Sequence, residues 1–253
     1  MTLTLVTLPC LTDNYTYLLH DEQTGQTAVV DVPEAAPVLA ELARRGWTLT
    51  DIFLTHHHDD HIQGVAEVRA ATGAVVLGPE ADAHRLPPLD VALREGSVVT
   101  LGQHHGHVIE VPGHTIGHIA YLFDGYAFTG DSLMSGGCGR LFEGSPEQMW
   151  NSLQKMADLP DETLICSGHE YTAANLRFAA TIDAANEALQ GRIAKVTKAR
   201  AENLATVPSK MAGERATNIF LRAGLAEVKA AVKMPEASDT DVFTELRARK
   251  NKF

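Results

Sequence analysis

The sequence predicts an α/β protein in two parts, a strand-and-helix domain over residues 1–168 and a smaller α-helical domain over 169–253. Three observations carry this. Short apolar runs alternate with helical spacings and turn residues as far as Cys166. From Tyr171 the texture changes to long Ala, Leu, Arg and Lys stretches at helical spacing. Charge and histidine divide at the same place. Residues 1–168 hold 7 Lys+Arg against 22 Asp+Glu, net −15; residues 169–253 hold 14 against 10, net +4; all 12 His lie at or before His169.

Leu3 to Leu8, Tyr15 to Leu19 and Ala28 to Val30 read as consecutive strands, by alternation or β-prone composition. Pro33 to Arg45 places Val38, Leu39 and Leu42 at helical spacing and ends at Gly46. Ile52-Phe53-Leu54 is a short buried strand, and Val65 to Ala71 a helix closed by Gly73. Strands follow at 74–77, 98–101, 107–111, 119–123 and 126–129. Ser145-Pro146-Glu147-Gln148 is a capping box with Pro at the first helical position, so a helix runs to about Leu159. Thr163 to Cys166 is expected as the last strand, with helices at Tyr171 to Ala185 and Glu187 to Leu204.

Composition excludes several classes. A chain of 253 residues buries roughly 70–75% of its unfolded surface and needs no disulfide framework, and three widely spaced Cys do not supply one. No apolar run approaches the roughly 18 residues of a membrane span. The N-terminus has no Lys or Arg before Arg44 and reads as no secretory signal, so a cytoplasmic setting is expected. A net charge of −11 argues against nucleic acid as a partner.

The chemistry sits in Thr55-His56-His57-His58-Asp59-Asp60-His61, directly after the strand Ile52-Phe53-Leu54. A carboxylate among imidazoles suits Zn²⁺, Fe or Mn²⁺. In extended backbone His56 and His58 share a face. Three more strand ends present Gly113-His114, Gly130-Asp131 and Gly168-His169, each with Gly before the candidate ligand. Open α/β sheets build sites at such ends.

With these four pieces the sequence resembles the metallo-β-lactamase superfamily, whose motif is His-x-His-x-Asp-His with a later His, Asp and His. The resemblance implies an αββα sandwich holding two divalent metal ions, with Zn expected and Fe or Mn possible. By it, His56, His58 and His114 hold one ion, Asp60, His61 and His169 the other, and Asp131 bridges them. A water shared by two such ions is acidified towards neutral pKa, and Asp60 would also orient the attacking hydroxide.

Gly136-Gly137-Cys138-Gly139-Arg140-Leu141-Phe142-Glu143-Gly144, Gly168-His169-Glu170-Tyr171-Thr172 and the ending Leu246-Arg247-Ala248-Arg249-Lys250-Asn251-Lys252-Phe253 are similar to glyoxalase II, the hydroxyacylglutathione hydrolases. That resemblance spans nearly the whole chain. It implies hydrolysis of an S-(2-hydroxyacyl)glutathione, typically the lactoyl thioester, in methylglyoxal detoxification. Arg140, Tyr171, Arg247 and Lys250 would bind the glutathione, the last two from the helical domain. Phe142 departs from members that have Tyr there, so one hydrogen bond to glutathione is expected to be missing.

Other polar residues receive ordinary readings. His57 and Asp59 should point away from the metals, and His104, His105 and His107 should lie on a solvated hairpin. His118 is structural or buttresses His114. Asp31 is either a turn cap or the hydrogen-bond partner of a metal-ligating histidine. Cys138 has no general base and is expected to pack. The rival readings are a one-iron glutathione-persulfide dioxygenase, a β-lactamase, which commonly has Cys where this chain has Asp131, and a nuclease. A monomer is expected.

Overall fold

A computed structural model describes residues 3–253 of the chain. They form two compact units, one holding the chain up to Glu110 together with Ile116–Gly130, the other Val111–Thr115 with Asp131–Phe253.

The first unit contains β1 (Leu3–Cys10), β2 (Asn14–Asp21), β3 (Gln26–Val30), α1 (Ala35–Arg45), β4 (Thr48–Phe53), α2 (Asp59–Ile62), α3 (Val65–Thr72), β5 (Val75–Pro79) and β6 (Val91–Leu93). Its first sheet runs β1-β2-β3-β4-β5-β6, antiparallel through β3 and parallel from β3 to β6. Four more strands, β7 (Val98–Leu101), β8 (His104–Glu110), β9 (Ile119–Phe123) and β10 (Tyr126–Gly130), pair antiparallel in the order β10-β9-β8-β7.

Alternation along β4 sorts the layers. Ile52 and Leu54 join Val38 and Leu42 of α1 and Val65 and Val68 of α3 in one buried cluster. Phe53 points the other way and stacks on Tyr121 of β9 at 5.1 Å, and the Tyr121 hydroxyl donates to the Leu54 carbonyl at 2.8 Å. Parallel strands covered on both faces read as continuous apolar runs, which is why Ile52-Phe53-Leu54 shows no polar alternation. α1 ends at Gly46 with φ 68°, and α3 at Gly73 with φ 73°, as their sequences required.

The second unit contains β11 (Leu133–Met134), β12 (Gly137–Cys138), α4 (Pro146–Ala157), β13 (Leu164–Ser167), α5 (Thr172–Ala180), α6 (Glu187–Ala201), β14 (Ser209–Lys210), α7 (Met211–Thr217), α8 (Ala226–Ala231) and α9 (Asp239–Lys252). The capping box forms: Ser145 Oγ accepts from Gln148 N–H, and Gln148 accepts from Ser145 N–H.

Several elements differ from expectation. β13 is not the last strand, because β14 pairs antiparallel with it; two residues carry no periodicity to read. The helix expected to reach Ala185 stops at Ala180, where Thr181 Oγ1 donates to the Phe178 carbonyl, and Asn186 caps α6 through Leu189 N–H. β8 starts at His104, since its register with β7 pairs Leu101 with His104. The compact units are also cut differently from 1–168 and 169–253. Residues 131–168 go with the helices, where Trp150 of α4 packs on Phe243 of α9 and β13 holds β14. Among the described residues no helix is long and apolar enough to cross a membrane.

Candidate metal centre

Within the first unit, β4 delivers Thr55–His58 in extended backbone, and α2 follows immediately. His56 Nε2 and His58 Nδ1 lie 3.2 Å apart, and the His56 and His61 rings are 4.2 Å apart. Asp31 organises this group. It is buried, has φ 55°, and its carboxylate accepts from Thr55 N–H, Thr55 Oγ1 and His61 Nδ1, each at 2.8 Å.

The bonding fixes the tautomers. His61 Nδ1 carries the proton it gives Asp31, which leaves Nε2 as a lone pair. The single hydroxyl proton of Thr55 goes to Asp31, so Thr55 Oγ1 accepts from His56 Nδ1 at 3.0 Å and His56 Nε2 is also a lone pair. Asp31, His56 and His61 could themselves bracket an ion, their donor atoms lying within 4.8 Å of one another. Asp31 already accepts three hydrogen bonds, which makes it the partner that aims the histidines. Asp60 is held by Asn14, whose Nδ2 donates to both its carbonyl and its Oδ2 at 3.0 Å.

Within the second unit, Asp131 Oδ2 lies 3.4 Å from His114 Nε2 and 3.3 Å from His169 Nε2. His114 Nδ1 donates to the Arg140 carbonyl at 2.8 Å, so its Nε2 is a third lone pair. Gly113, at φ 149°, has no room for a Cβ, which would meet Met149 Cβ at 2.6 Å. Asp131 is 6% exposed, and a carboxylate this buried calls for positive charge beside it. In each unit, imidazole nitrogens beside a buried or tethered carboxylate are donors of the kind that fit divalent cations.

The remaining polar residues separate from these donors. His57 turns to Asp82 at 3.0 Å. His118 stacks on His56 at 4.6 Å with its Nδ1 donating to the Ile119 carbonyl, a structural role. His105 and His107 are exposed on the β7–β8 hairpin. Burial pushes the Cys138 and Cys166 thiols up, so both stay protonated.

The second unit also carries the four residues expected to bind glutathione. Arg140 and Tyr171 are exposed, with Tyr171 stacked on His169 at 4.7 Å. Lys250 Nζ donates to the Ala174 carbonyl at 3.2 Å and lies over Phe178 and Phe253. Arg247 is 4% exposed, and its Nη1 donates to the Cys138 carbonyl at 2.9 Å. The β11–β12 hairpin is thus held by a helix side chain, and others join it. Asn175 Nδ2 donates to the Ser135 carbonyl, Asn218 Nδ2 to those of Met134 and Gly137, and Gly136 N–H donates to Glu214.

Asn14, Asn175, Glu214 and Asn218 were not singled out from sequence. Asn14 opens a strand and the others sit inside or beside helices, where a polar residue gives no sign of being buried.

Residues 13–169 match the family model of the metallo-beta-lactamase superfamily, and residues 170–253 the model described as hydroxyacylglutathione hydrolase C-terminus. A protein of Cereibacter sphaeroides (strain ATCC 17025 / ATH 2.4.3), named hydroxyacylglutathione hydrolase, is 61% identical over 255 residues, covering 100% of both chains. The crystal structure of ETHE1 from Myxococcus xanthus is similar with a TM-score of 0.68 at 27% identity, over 99% of this chain and 98% of that one. TTHA1623, solved in a di-iron-bound form, is similar with a TM-score of 0.55 at 30% identity, over 66% of this chain and 91% of that one. The strands and helices described above are therefore a metallo-β-lactamase fold followed by a helical C-terminal segment, and the chain belongs to the hydroxyacylglutathione hydrolase family of that superfamily.

Proposed function

We propose that this protein is a metal-dependent thioester hydrolase that converts an S-(2-hydroxyacyl)glutathione, with the lactoyl thioester of methylglyoxal detoxification as its typical substrate, to glutathione and a 2-hydroxy acid. The observation that carries this is the full-length match at 61% identity to a hydroxyacylglutathione hydrolase, in a chain that keeps all the expected donors. The site would hold two divalent ions, His56, His58 and His114 serving one, Asp60, His61 and His169 the other, with Asp131 shared. Nitrogen and carboxylate donors suit Zn²⁺ and accept Fe or Mn. The di-iron-bound relative supports two ions.

When bound, such ions acidify water to near-neutral pKa and polarise a carbonyl. The chain's own residues do the aiming. Asp31 and Thr55 hold His61 and His56 in the tautomers that keep the lone pair on Nε2, and Asn14 fixes the Asp60 carboxylate that would orient the attacking water. The leaving thiol has an ordinary pKa near 8.5, so its thiolate departs without a dedicated acid. Arg140, Tyr171, Arg247 and Lys250 hold the glutathione moiety. The division of labour follows residues 1–168 for most metal donors and 169–253 for most glutathione contacts. We place the enzyme in the cytoplasm, where three free buried cysteines stay reduced. All the proposed donors belong to one chain, which supports a monomer as the working unit.

The test is hydrolysis of S-lactoylglutathione against S-lactoyl-N-acetylcysteamine, on protein of measured metal content. A strong preference for the glutathione thioester is expected, and Asp131→Ala should lose metal and turnover together. Equal rates on the two substrates would sink the glutathione assignment; full turnover in Asp131→Ala would sink the dinuclear scheme.

A further inference from the structure

Several cations in the second unit are neutralised by a carboxylate of the same unit. Arg192 pairs with Glu214, Arg200 with Glu170, Arg222 with Asp183, and Lys229 with Asp239. Apart from the exposed Lys195, Lys198, Lys233 and Lys252, four cations differ. Among the described residues no carboxylate pairs with Arg140, Arg177, Arg247 or Lys250. Arg247 is nearly fully buried, yet its partners are the Cys138 and Gly139 carbonyls and the Asn251 side-chain oxygen.

These four come together from three segments. Lys250 Nζ touches the Ala174 carbonyl on α5, and Arg177 lies three residues further along that helix, on the same face. Lys250 also lies over the ring of Phe178, the next residue after Arg177. Arg247 precedes Lys250 by three residues on α9 and reaches the carbonyls next to Arg140. The charges sense one another: burial first, then Arg247, Arg177 and Arg140, bring the Lys250 pKa down to about 8. Arg177 stands in the last turn of α5 and Lys250 in the last turn of α9, where a cation suits the helix dipole, but that accounts for neither Arg140 nor Arg247. Four uncompensated cations in one cluster are more than one carboxylate requires, and glutathione carries two.

We propose that Arg177 is a specificity-determining residue: exposed on α5 beside Lys250, its guanidinium takes a carboxylate of the glutathione moiety and so discriminates anionic tripeptide thioesters from neutral ones. This rests on the glutathione-thioester reading of the site. The planar fork of Arg suits a bidentate carboxylate, and among the described residues no carboxylate takes the Arg177 guanidinium.

The experiment measures kcat/KM of the metal-loaded enzyme on S-lactoylglutathione and on S-lactoyl-N-acetylcysteamine, and takes the ratio for wild type, Arg177→Ala, Arg177→Glu and Arg177→Lys. Wild type should show a large ratio. Arg177→Ala should lower it about 10-fold, mainly through KM for the glutathione thioester, as losing a charged hydrogen bond does. Arg177→Glu should lower it further, and Arg177→Lys should restore part. A wild-type ratio near one overturns the glutathione reading and this proposal with it. A large wild-type ratio that Arg177→Ala and Arg177→Glu leave intact overturns the proposal and spares the reading. Equal losses on both substrates, with no recovery in Arg177→Lys, also overturn it, because they show general damage and not selection.

Discussion

The α6–α7 region and the α5–α9 region of the second unit are both rich in buried or half-buried charge, and they use it in opposite ways. Between α6 and α7, Arg192 meets Glu214, which is fully buried and also accepts from Ser209 Oγ, Asn218 Nδ2 and Gly136 N–H. Arg192 in turn donates to Thr217 Oγ1 and Ser135 Oγ. Arg192 and Glu214 are answered within the chain, and their network sets the hairpin that follows Asp131. Between α5 and α9, Arg247 and Lys250 meet oxygens, a thiol and aromatic faces, and no carboxylate among the described residues pairs with them or with Arg177, so an anion from outside would complete them. A charged group's role is therefore read from its partners: internal compensation marks structure, and its absence in a cluster marks a place for a ligand.

The largest effect should come from breaking the compensated region. Glu214→Ala leaves Arg192 buried without its carboxylate and should lower stability by about 3–5 kcal/mol. Urea unfolding measures it, and a loss below about 1 kcal/mol would erase the contrast between the regions. Asp31 is the comparable fully satisfied carboxylate of the first unit. Asp31→Ala should weaken metal binding by about 10–100-fold by freeing His61 and Thr55, readable by competition with a chelator. Unchanged affinity would remove Asp31 from the centre.

The smaller effects fall on the uncompensated region. Lys250→Met should raise KM for S-lactoylglutathione about 10-fold while leaving unfolding stability equal or slightly higher, because it relieves repulsion from Arg247, Arg177 and Arg140. A stability loss like that of Glu214→Ala would make Lys250 structural. The pH dependence follows from the same group. The Lys250 pKa of about 8 lies below its ordinary 10.5. In that interval the unfolded chain binds more protons, so the contribution of Lys250 to stability improves as pH rises from about 8 to 10.5, and its penalty is fully present below 8. Binding runs the other way: above pH 8 the amine loses its charge, and KM for the anionic thioester should climb between pH 7 and 9 by more than KM for the neutral one. Parallel profiles would contradict a charged Lys250 at the glutathione end.

The proposed metal donors were legible because each follows a strand end, and a strand end is marked locally by an apolar run and a turn residue. His56, His58, His61 and Asp60 needed only their spacing after Leu54. Asp31 was visible as a choice between cap and partner, and three hydrogen bonds at one carboxylate resolve it. Asn14 was not legible, since it bonds Asp60 across 46 residues of chain. β14 and the hairpin β11–β12 were too short to show a period. Arg177 looked like any cation in the last turn of a helix.

Residue type and order were enough for the class of fold, the short buried strand at β4, the seven candidate donors and the family. They could not say which imidazole nitrogen carries the lone pair or which cation lacks a counterion. Those properties belong to pairs of groups far apart in the chain, such as Thr55 with Asp31 and Lys250 with Ala174. Hydrogen bonds and ion pairs act over a few ångströms, and folding sets which of these distant groups come within that range.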